Sequence, residues 1–541
     1  MRLYQQIRAS IARPAVAGAA ALLFASGMPL SAFGQAQPPA QAPAAPAAPS
    51  SLSASTPPQG SALGIDEAVK MALENNLGVQ AEKLNPQIQV LGIARANAAY
   101  APTLFSTLNR RNSTTPPTDF NISGSGDLIT TNGTFTTQGG VQQNVRWFGG
   151  NYQVAFDGSR TTTNAINSVF NPQLGSGLNA AYTQPFLRNF KIDTLRQQLI
   201  TSENNAKIAD LQLQQRITQT ARNVRAAYYQ LVGAINGLEV AKESLRVAET
   251  SLKNNQTRVE VGTMAPIDIV TAEAEVASNE EAVIVQQAQI ETAQDTLRAL
   301  IMNPSQPDFW TARFVPSEQP MLAPREINVD AAIKNALANR TDILEFKKNM
   351  ENTDVNLRYA SNQKLPNLDV TARYGLAGVA GTRFSRAEDG SLIDPTIRTF
   401  TDALRDVFGN DFRTWSVAVN LSYPIGTSVA DAAFAQTKLQ QQQERTGLAN
   451  LEMSVTTAVR EAARDVNTNL RRVEATKRAR ELAERRLEAD NKRFSVGLAT
   501  TFELLQSQRD LARARQSELR AAIDYNQSLV DFEAVQIAPI R

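Results

Sequence analysis

Arg258-Val-Glu-Val261-Gly262-Thr263 returns 235 residues later as Arg493-Phe-Ser-Val496-Gly497-Leu498. A second marker stands upstream of each phrase. Asp66-Glu-Ala68-Val-Lys70-Met-Ala72-Leu73-Glu-Asn75 returns after 264 residues as Asp330-Ala-Ala332-Ile-Lys334-Asn-Ala336-Leu337-Ala-Asn339. Two markers in the same order in each half mean that one supersecondary unit is used twice. Pro102 keeps the offset of 264 and lands on Pro366, so the first half carries 29 extra residues between Pro102 and Arg258.

Outward from each Val-Gly phrase the apolar residues fall at helical spacing. Leu231, Ala234, Leu238, Ala241, Leu245, Ala248 and Leu252 step by three and four before the first phrase. Ile269, Ala272, Val276, Val283, Ile290, Ala293, Leu297 and Leu300 do so after it, with Asn279 and Gln286 filling two of the steps. This is coiled-coil spacing, with a seam rich in alanine that lets helices approach closely. A helix over about 195–259 would be ~100 Å long at 1.5 Å per residue. Its return over 266–301 is about half that, and 65–99 predicts a further helix of similar length, so two short helices end to end match one long one. The second half repeats this over 330–363, 430–494 and 501–536. Hairpins this long are mostly surface, which points to packing against other copies.

Between the helices the period changes to two. Leu368, Val370, Ala372, Tyr374 and Leu376 share one face of a strand over 367–378, opposite Asp369, Thr371 and Arg373. Trp415, Val417, Val419 and Leu421 share a face over 413–424, opposite Ser416, Ala418 and Asn420. Strands of about ten residues with one apolar face suit a wall between lipid and water, and alternation alone also fits a sheet packed on a soluble core. The first half predicts strands near 103–111 and 177–185 and a hairpin over 134–146 and 151–160, where most of the 29 extra residues fall.

Composition excludes several classes of chemistry. The 541 residues contain no cysteine and no histidine, which removes cysteine nucleophiles, Ser-His-Asp arrangements and ordinary zinc sites. Neither a P-loop nor a dinucleotide-binding glycine motif is present, and no cofactor is expected. A net charge of +2 with 20% charged residues gives no sign of a nucleic-acid partner. Residues 1–34 read as a secretory signal, with Arg2, Arg8 and Arg13 before an apolar run and Ala32-Phe33-Gly34 as a cleavage site. Residues 35–62, rich in Pro, Ala, Gln and Ser, read as disordered. The expected organisation is then a first repeat over 63–301, a connection over 302–328 and a second repeat over 329–541.

The duplicated strand-helix layout resembles that of the TolC-like outer-membrane channel family. The likeness is carried by Ala68-Val-x-Met-Ala72-Leu-x-Asn75-Asn76, by Thr183-Gln184-Pro185-Phe186 with its echo Ser422-Tyr423-Pro424-Ile425, and by the two Val-Gly phrases. It implies an α+β membrane protein: a homotrimer whose strands close one outer-membrane barrel, continued by twelve pseudo-continuous helices as a long periplasmic α-helical barrel. It implies a passive exit duct for efflux or type I secretion, linked to an inner-membrane exporter by a periplasmic adaptor protein, with outer-membrane lipid around the barrel. Four strands per protomer give twelve in a trimer, and the extra hairpin makes six and eighteen the alternative. Arg258, Val261, Gly262, Thr263, Arg493, Val496, Gly497 and Leu498 would form the adaptor-docking tips. Leu368, Val370, Tyr374, Trp415, Val417, Val419 and Leu421 would face lipid. Asp268, Glu503 and Gln506 would lie at the periplasmic entrance. The residues themselves offer another role for both acids. Thr500-Thr-Phe-Glu503 reads as a capping box, and Pro266-Ile-Asp268 as a first helical turn. The competing class is a periplasmic adaptor or structural coiled-coil protein without a pore, which would need only one helical hairpin. An enzyme is disfavoured for want of any candidate site.

The alternation generates a direct test. Val417→Arg places a charge on the apolar face and should block assembly in the outer membrane, at a cost of roughly 2–4 kcal/mol near the midplane. Ser416→Arg, on the other face, should assemble. Equal amounts of both variants as heat-modifiable outer-membrane protein would mean that the faces are assigned wrongly.

Overall fold

The structure is a computed structural model, and it describes residues 60–116, 129–165, 168–320, 322–386 and 392–536. The strands are β1 (Ser61–Leu63), β2 (Thr103–Thr115), β3 (Thr130–Asn144), β4 (Asn151–Thr163), β5 (Phe170–Pro185), β6 (Phe314–Pro316), β7 (Asn367–Arg386), β8 (Leu392–Arg398) and β9 (Phe412–Ser422). The helices are α1 (Ile65–Asn75), α2 (Leu77–Ala98), α3 (Thr194–Glu260), α4 (Ile267–Ile301), α5 (Val329–Asn339), α6 (Thr341–Gln363), α7 (Phe400–Gly409), α8 (Val429–Ser495) and α9 (Thr501–Gln536). None of the described helices is long and apolar enough to cross a membrane.

The two long helices α3 and α8 have the same length, 67 residues, and every residue of one maps to the other with an offset of 235. All of the surplus in the first half therefore lies between Pro102 and the start of α3, among the strands. Each long helix turns back into a helix about half its length: α4 has 35 residues and α9 has 36.

The markers Ala68/Ala72 and Ala332/Ala336 prove to be the core itself. Ala68 and Ala72 pack with Val224, Tyr228, Leu231, Leu297 and Ile301. Ala332 and Ala336 pack with Val455, Val459, Val466, Ala521 and Tyr525. A methyl side chain at these positions lets the short helix sit directly on the hairpin, which is the physical reason both halves keep Ala there. Tyr228 is fully buried and satisfies its hydroxyl by donating to Leu63 O (3.0 Å) and accepting from the Glu318 N–H (3.1 Å).

Two expectations are corrected. The single helices expected over 65–99 and 330–363 are each broken once, at Asn76 and Arg340, which adopt almost the same extended backbone (φ −63, ψ 120 and φ −62, ψ 128). The breaks join each short helix to the end of the returning helix of the same half. Asn76 Nδ2 donates to Leu300 O (3.2 Å) and Asn75 Nδ2 to Ile301 O (3.2 Å). In the second half Arg340 Nη1 donates to Val535 O (3.0 Å). These bonds stack two short helices end to end alongside one long helix. Second, Ser61 and Ala62, at the end of the stretch read as disordered, join Leu63 in a strand that pairs in parallel with Phe314–Pro316 in the inter-repeat connection. The signal segment and residues 35–59 lie outside the described residues.

The main sheet runs β2-β3-β4-β5-β7, with β8 and β9 sharing the far edge of β7. β9 pairs with Asn367–Ala377 and β8 with Gly381–Arg386, so the last position is one strand interrupted by α7. The sheet thus has six strand positions, the larger of the two counts left open by the sequence. Two strands are much longer than expected, β7 reaching Arg386 and β5 starting at Phe170, while β9 ends two residues early at Ser422.

Asn76 caps α2 with its side-chain oxygen, accepting from the N–H groups of Gly78 (3.0 Å) and Val79 (3.2 Å). Asn76→Ala should therefore cost about 1 kcal/mol, within the range for lost caps. Asn76→Asp keeps the cap and loses only the bond to Leu300. Thermal unfolding of the purified protein should rank wild type above Asp and Asp above Ala; an unchanged midpoint for Ala would mean the junction carries no stability.

Candidate functional site

Two regions carry functional geometry: the hairpin tips and the two-faced sheet. At the first tip the N–H of Gly262 bonds Val259 O (2.9 Å) and that of Thr263 bonds Arg258 O (2.8 Å). At the second tip Gly497 N–H bonds Phe494 O (3.2 Å) and Leu498 N–H bonds Arg493 O (2.8 Å). Both are Schellman motifs, which need a left-handed residue at the turn. Gly262 (φ 76) and Gly497 (φ 78) supply it, and nothing lies within 4 Å of where a Cβ would stand.

The two tips touch. The Arg258 guanidinium lies over the Phe494 ring, 4.4 Å from its centroid. Farther along the hairpins Arg509 Nε donates to the buried Glu275 carboxylate (2.8 Å), joining α9 to α4. Within the second hairpin Glu484 receives Arg480 (2.8 Å) and Arg515 (3.3 Å). Burial alone would raise the Glu484 carboxyl, but these two guanidinium partners hold it below its ordinary value. Around this tied base the tips are bare and apolar: Val261, Ile267, Val496, Leu498 and Phe502 are all about two-thirds or more exposed.

Both acids expected at the entrance sit where the helices restart. Glu503 forms the capping box, its carboxylate accepting from Thr500 N–H (2.9 Å) while its own N–H bonds Thr500 Oγ1 (3.2 Å). Its side chain remains exposed. Asp268 lies in the first turn of α4, whose N-cap, Pro266, makes no side-chain cap bond. Gln506 donates to Asp510 Oδ1 (2.9 Å), one turn farther on, an acid that the sequence reading had not singled out. The ties Arg258–Phe494 and Arg509–Glu275 were also missed, because each joins residues more than 230 positions apart without a local motif.

Cross-strand register settles which residues share a face of the sheet. Tyr374 pairs with Trp415, Ala372 with Val417, Val370 with Val419 and Leu368 with Leu421. The same face continues through Leu178 and Ala180 of β5, Val154 and Phe156 of β4, Val141 of β3, and Leu104 of β2. The other face carries Arg373, Thr371, Asn179, Asp157, Gln138 and Thr107, joined in part by Asn179–Asp157 and Thr183–Thr371 hydrogen bonds. One face thus carries large apolar side chains at every strand position, most densely on β5, β7 and β9, and the other is mainly polar. Among the described residues the edges, β2 and β9, have no partner beyond them, and β9 is exposed along its whole length.

A six-position sheet apolar on one side, set on long paired helical hairpins, is the architecture of an outer-membrane channel protein. The chain belongs to the outer membrane efflux protein family, whose model matches residues 154–302 and 332–535, once in each half. It is accordingly a protein of the outer membrane with a large periplasmic part. It is 24% identical to the outer membrane efflux protein BepC of Brucella suis over 84% of this chain and 81% of that protein. It is 21% identical to the outer membrane protein TolC of Escherichia coli over 67% of this chain and 73% of that one. Its fold resembles that of the Campylobacter jejuni CmeC outer membrane channel, with a TM-score of 0.62, 14% identity and coverage of 87% of this chain and 85% of the other.

The open surroundings of Gly497 make strain separable from packing. Gly497→Ala meets no neighbour yet must hold a left-handed backbone, at roughly 1–2 kcal/mol. Amide hydrogen exchange over 493–500 should speed up by about tenfold, a factor equivalent to ~1.4 kcal/mol. Unchanged exchange would mean that the tip does not depend on this turn.

Proposed function

We propose that the chain is the passive outer-membrane exit duct of a tripartite export system, assembled as a homotrimer. The observation that carries this reading is the two-faced sheet with two bare edges. A strand edge in hydrocarbon leaves backbone groups unsatisfied, at several kcal/mol each, so a sheet of this kind is stable in a membrane only when closed. Three copies joined β2 to β9 close one barrel of eighteen strands. Leu368, Val370, Tyr374, Trp415, Val417, Val419 and Leu421 then face lipid, and the polar face lines the water-filled lumen. Two long helices and two end-to-end stacks per copy give twelve pseudo-continuous helices, prolonging the lumen through the periplasm.

In this reading the halves over 63–301 and 329–541 are the two structural repeats. The exposed tips (Arg258, Val261, Gly262, Thr263 and Arg493, Val496, Gly497, Leu498) receive a periplasmic adaptor, which couples the duct to an inner-membrane exporter of small molecules or of protein. Asp268, Glu503 and Gln506 lie beside the tips, where a threefold axis would gather three copies of each around one hole. A ring of carboxylates favours cations and penalises anions. The adaptor alternative fares worse, because a soluble adaptor has no use for an apolar face spread across six strand positions.

Planar bilayers test both the duct and its entrance. The purified protein should conduct and prefer cations, most strongly at low salt where screening is weak. Glu503→Gln keeps the shape and can still accept the Thr500 bond, so it should reduce cation preference while leaving assembly intact. Absence of any conductance would overturn the duct. Unaltered selectivity would leave Glu503 as a helix cap alone.

A further inference from the structure

Among the described residues the interruption between β8 and β9 has no counterpart in the first half, and it builds something definite. Helix α7 lies against β5 and β7, on the apolar face of the sheet. Ser176, on that face, donates from Oγ to Ala403 O (2.9 Å). Gly378 pairs with Ser176, and a Cβ there would come within 1.9 Å of the same carbonyl, so only glycine lets the helix sit this close. At its far end, Asn410 Oδ1 accepts from the hydroxyl of Tyr374 (2.8 Å), again on the apolar face. The helix is capped by a Thr399/Asp402 box, and Arg398 Nη2 donates to both oxygens of the buried Asp406 (2.8 and 2.9 Å). It is a fastened element, with its buried carboxylate paired.

What it leaves outside is sided. Phe400, Leu404 and Phe408 recur every four residues along one flank, with Phe408 77% exposed. Thr401, seven residues before Phe408, lies beside it on the outermost line of the helix, and Arg405 lies on the far flank, both exposed. Beside the helix, β8 exposes Ile393 and Ile397. About eleven residues separate Asn367, where β7 leaves the helices, from Gly378, which is the length of a membrane-crossing strand. The helix therefore lies at the outer limit of the apolar band, where the hydrocarbon gives way to headgroups.

We propose that α7 is a membrane-interface helix on the outside of the barrel wall, with Phe400, Leu404 and Phe408 embedded in lipid at the outer-leaflet boundary, Thr401 at the edge of that boundary and Arg405 in the headgroup layer. The inference rests on the reading of the apolar face as the lipid face, and it extends that contact beyond the strands. A helix with an apolar flank and a polar flank lies in the interface plane with its apolar side about 5–10 Å deep. Continuity selects lipid as the occupant: the helix sits on the same face as Tyr374 and Trp415 and extends the apolar surface they begin.

The cysteine-free chain allows unique labelling. Phe408→Cys, Phe400→Cys, Thr401→Cys, Val417→Cys and Ser416→Cys are spin-labelled singly and reconstituted in phosphatidylcholine–phosphatidylglycerol vesicles. Collisions with oxygen and with a water-soluble nickel chelate are then compared. Labels at 408 and 400 should show an oxygen-to-nickel accessibility ratio several-fold above that at 416 and close to that at 417, with 401 intermediate. Nickel-accessible labels at 408 and 400, with 417 still lipid-like, would overturn the interface helix and leave the lipid face standing. Labels at 408 and 400 shielded from both reagents would overturn it in favour of a neighbouring copy as the cover. A nickel-accessible label at 417 would instead overturn the lipid face itself.

Discussion

An unpaired strand edge cannot be left in hydrocarbon, and this constraint governs the architecture. Lipid offers no hydrogen bonds, so every backbone group at membrane depth must find a protein partner. Among the described residues the sheet satisfies its own groups across six positions and then stops, with β2 bare on one side and β9 on the other. Apolar side chains cover one of its faces and polar ones the other, which commits the sheet to separating two solvents. In the proposed duct more copies of the same sheet complete it, and the bare edges are what call for that closure.

The helices obey a different economy. A hairpin with 67 residues in its long arm has too little interior of its own, so it depends on close approach. Alanine at 68, 72, 332 and 336 permits that approach where the short helices meet the hairpins. Polar ties take over toward the tips: Arg509 with Glu275, Arg258 over Phe494, and Glu484 between two arginines. Partly exposed ion pairs contribute little to stability, so near the tips they supplement the buried Leu504, Leu505, Leu511 and Ala272. The exposed valines, leucine and phenylalanine there suit a surface that finds its partner outside the chain.

Most of this fold was legible because it is periodic. The helices over 195–259 and 430–494 were readable to within a residue from steps of three and four, and the apolar face of β7 and β9 from strict alternation. The Thr500/Glu503 box was readable because capping is local. The breaks at Asn76 and Arg340 were hidden because the helical pattern continues on both sides, and arginine carries no stop signal. The strand Ser61–Leu63 was masked by its Ser/Pro-rich surroundings, since it is specified by a partner some 250 residues away. Helix α7 had a signal, Thr399-Phe-Thr-Asp402, but its ten residues are too few for periodicity to stand out. The proposed entrance is the least legible, because in that reading its geometry belongs to an assembly and one chain specifies only one part of it.

The central claim is that six strand positions per copy close, edge to edge, into one wall. A cryo-electron microscopy reconstruction of the purified protein in lipid nanodiscs tests it directly. The account predicts a threefold particle with eighteen strands, β2 of each copy hydrogen-bonded to β9 of the next, and the apolar face outward. A twelve-stranded wall with the β3–β4 hairpin displaced from it, or copies whose sheets do not join, would contradict it.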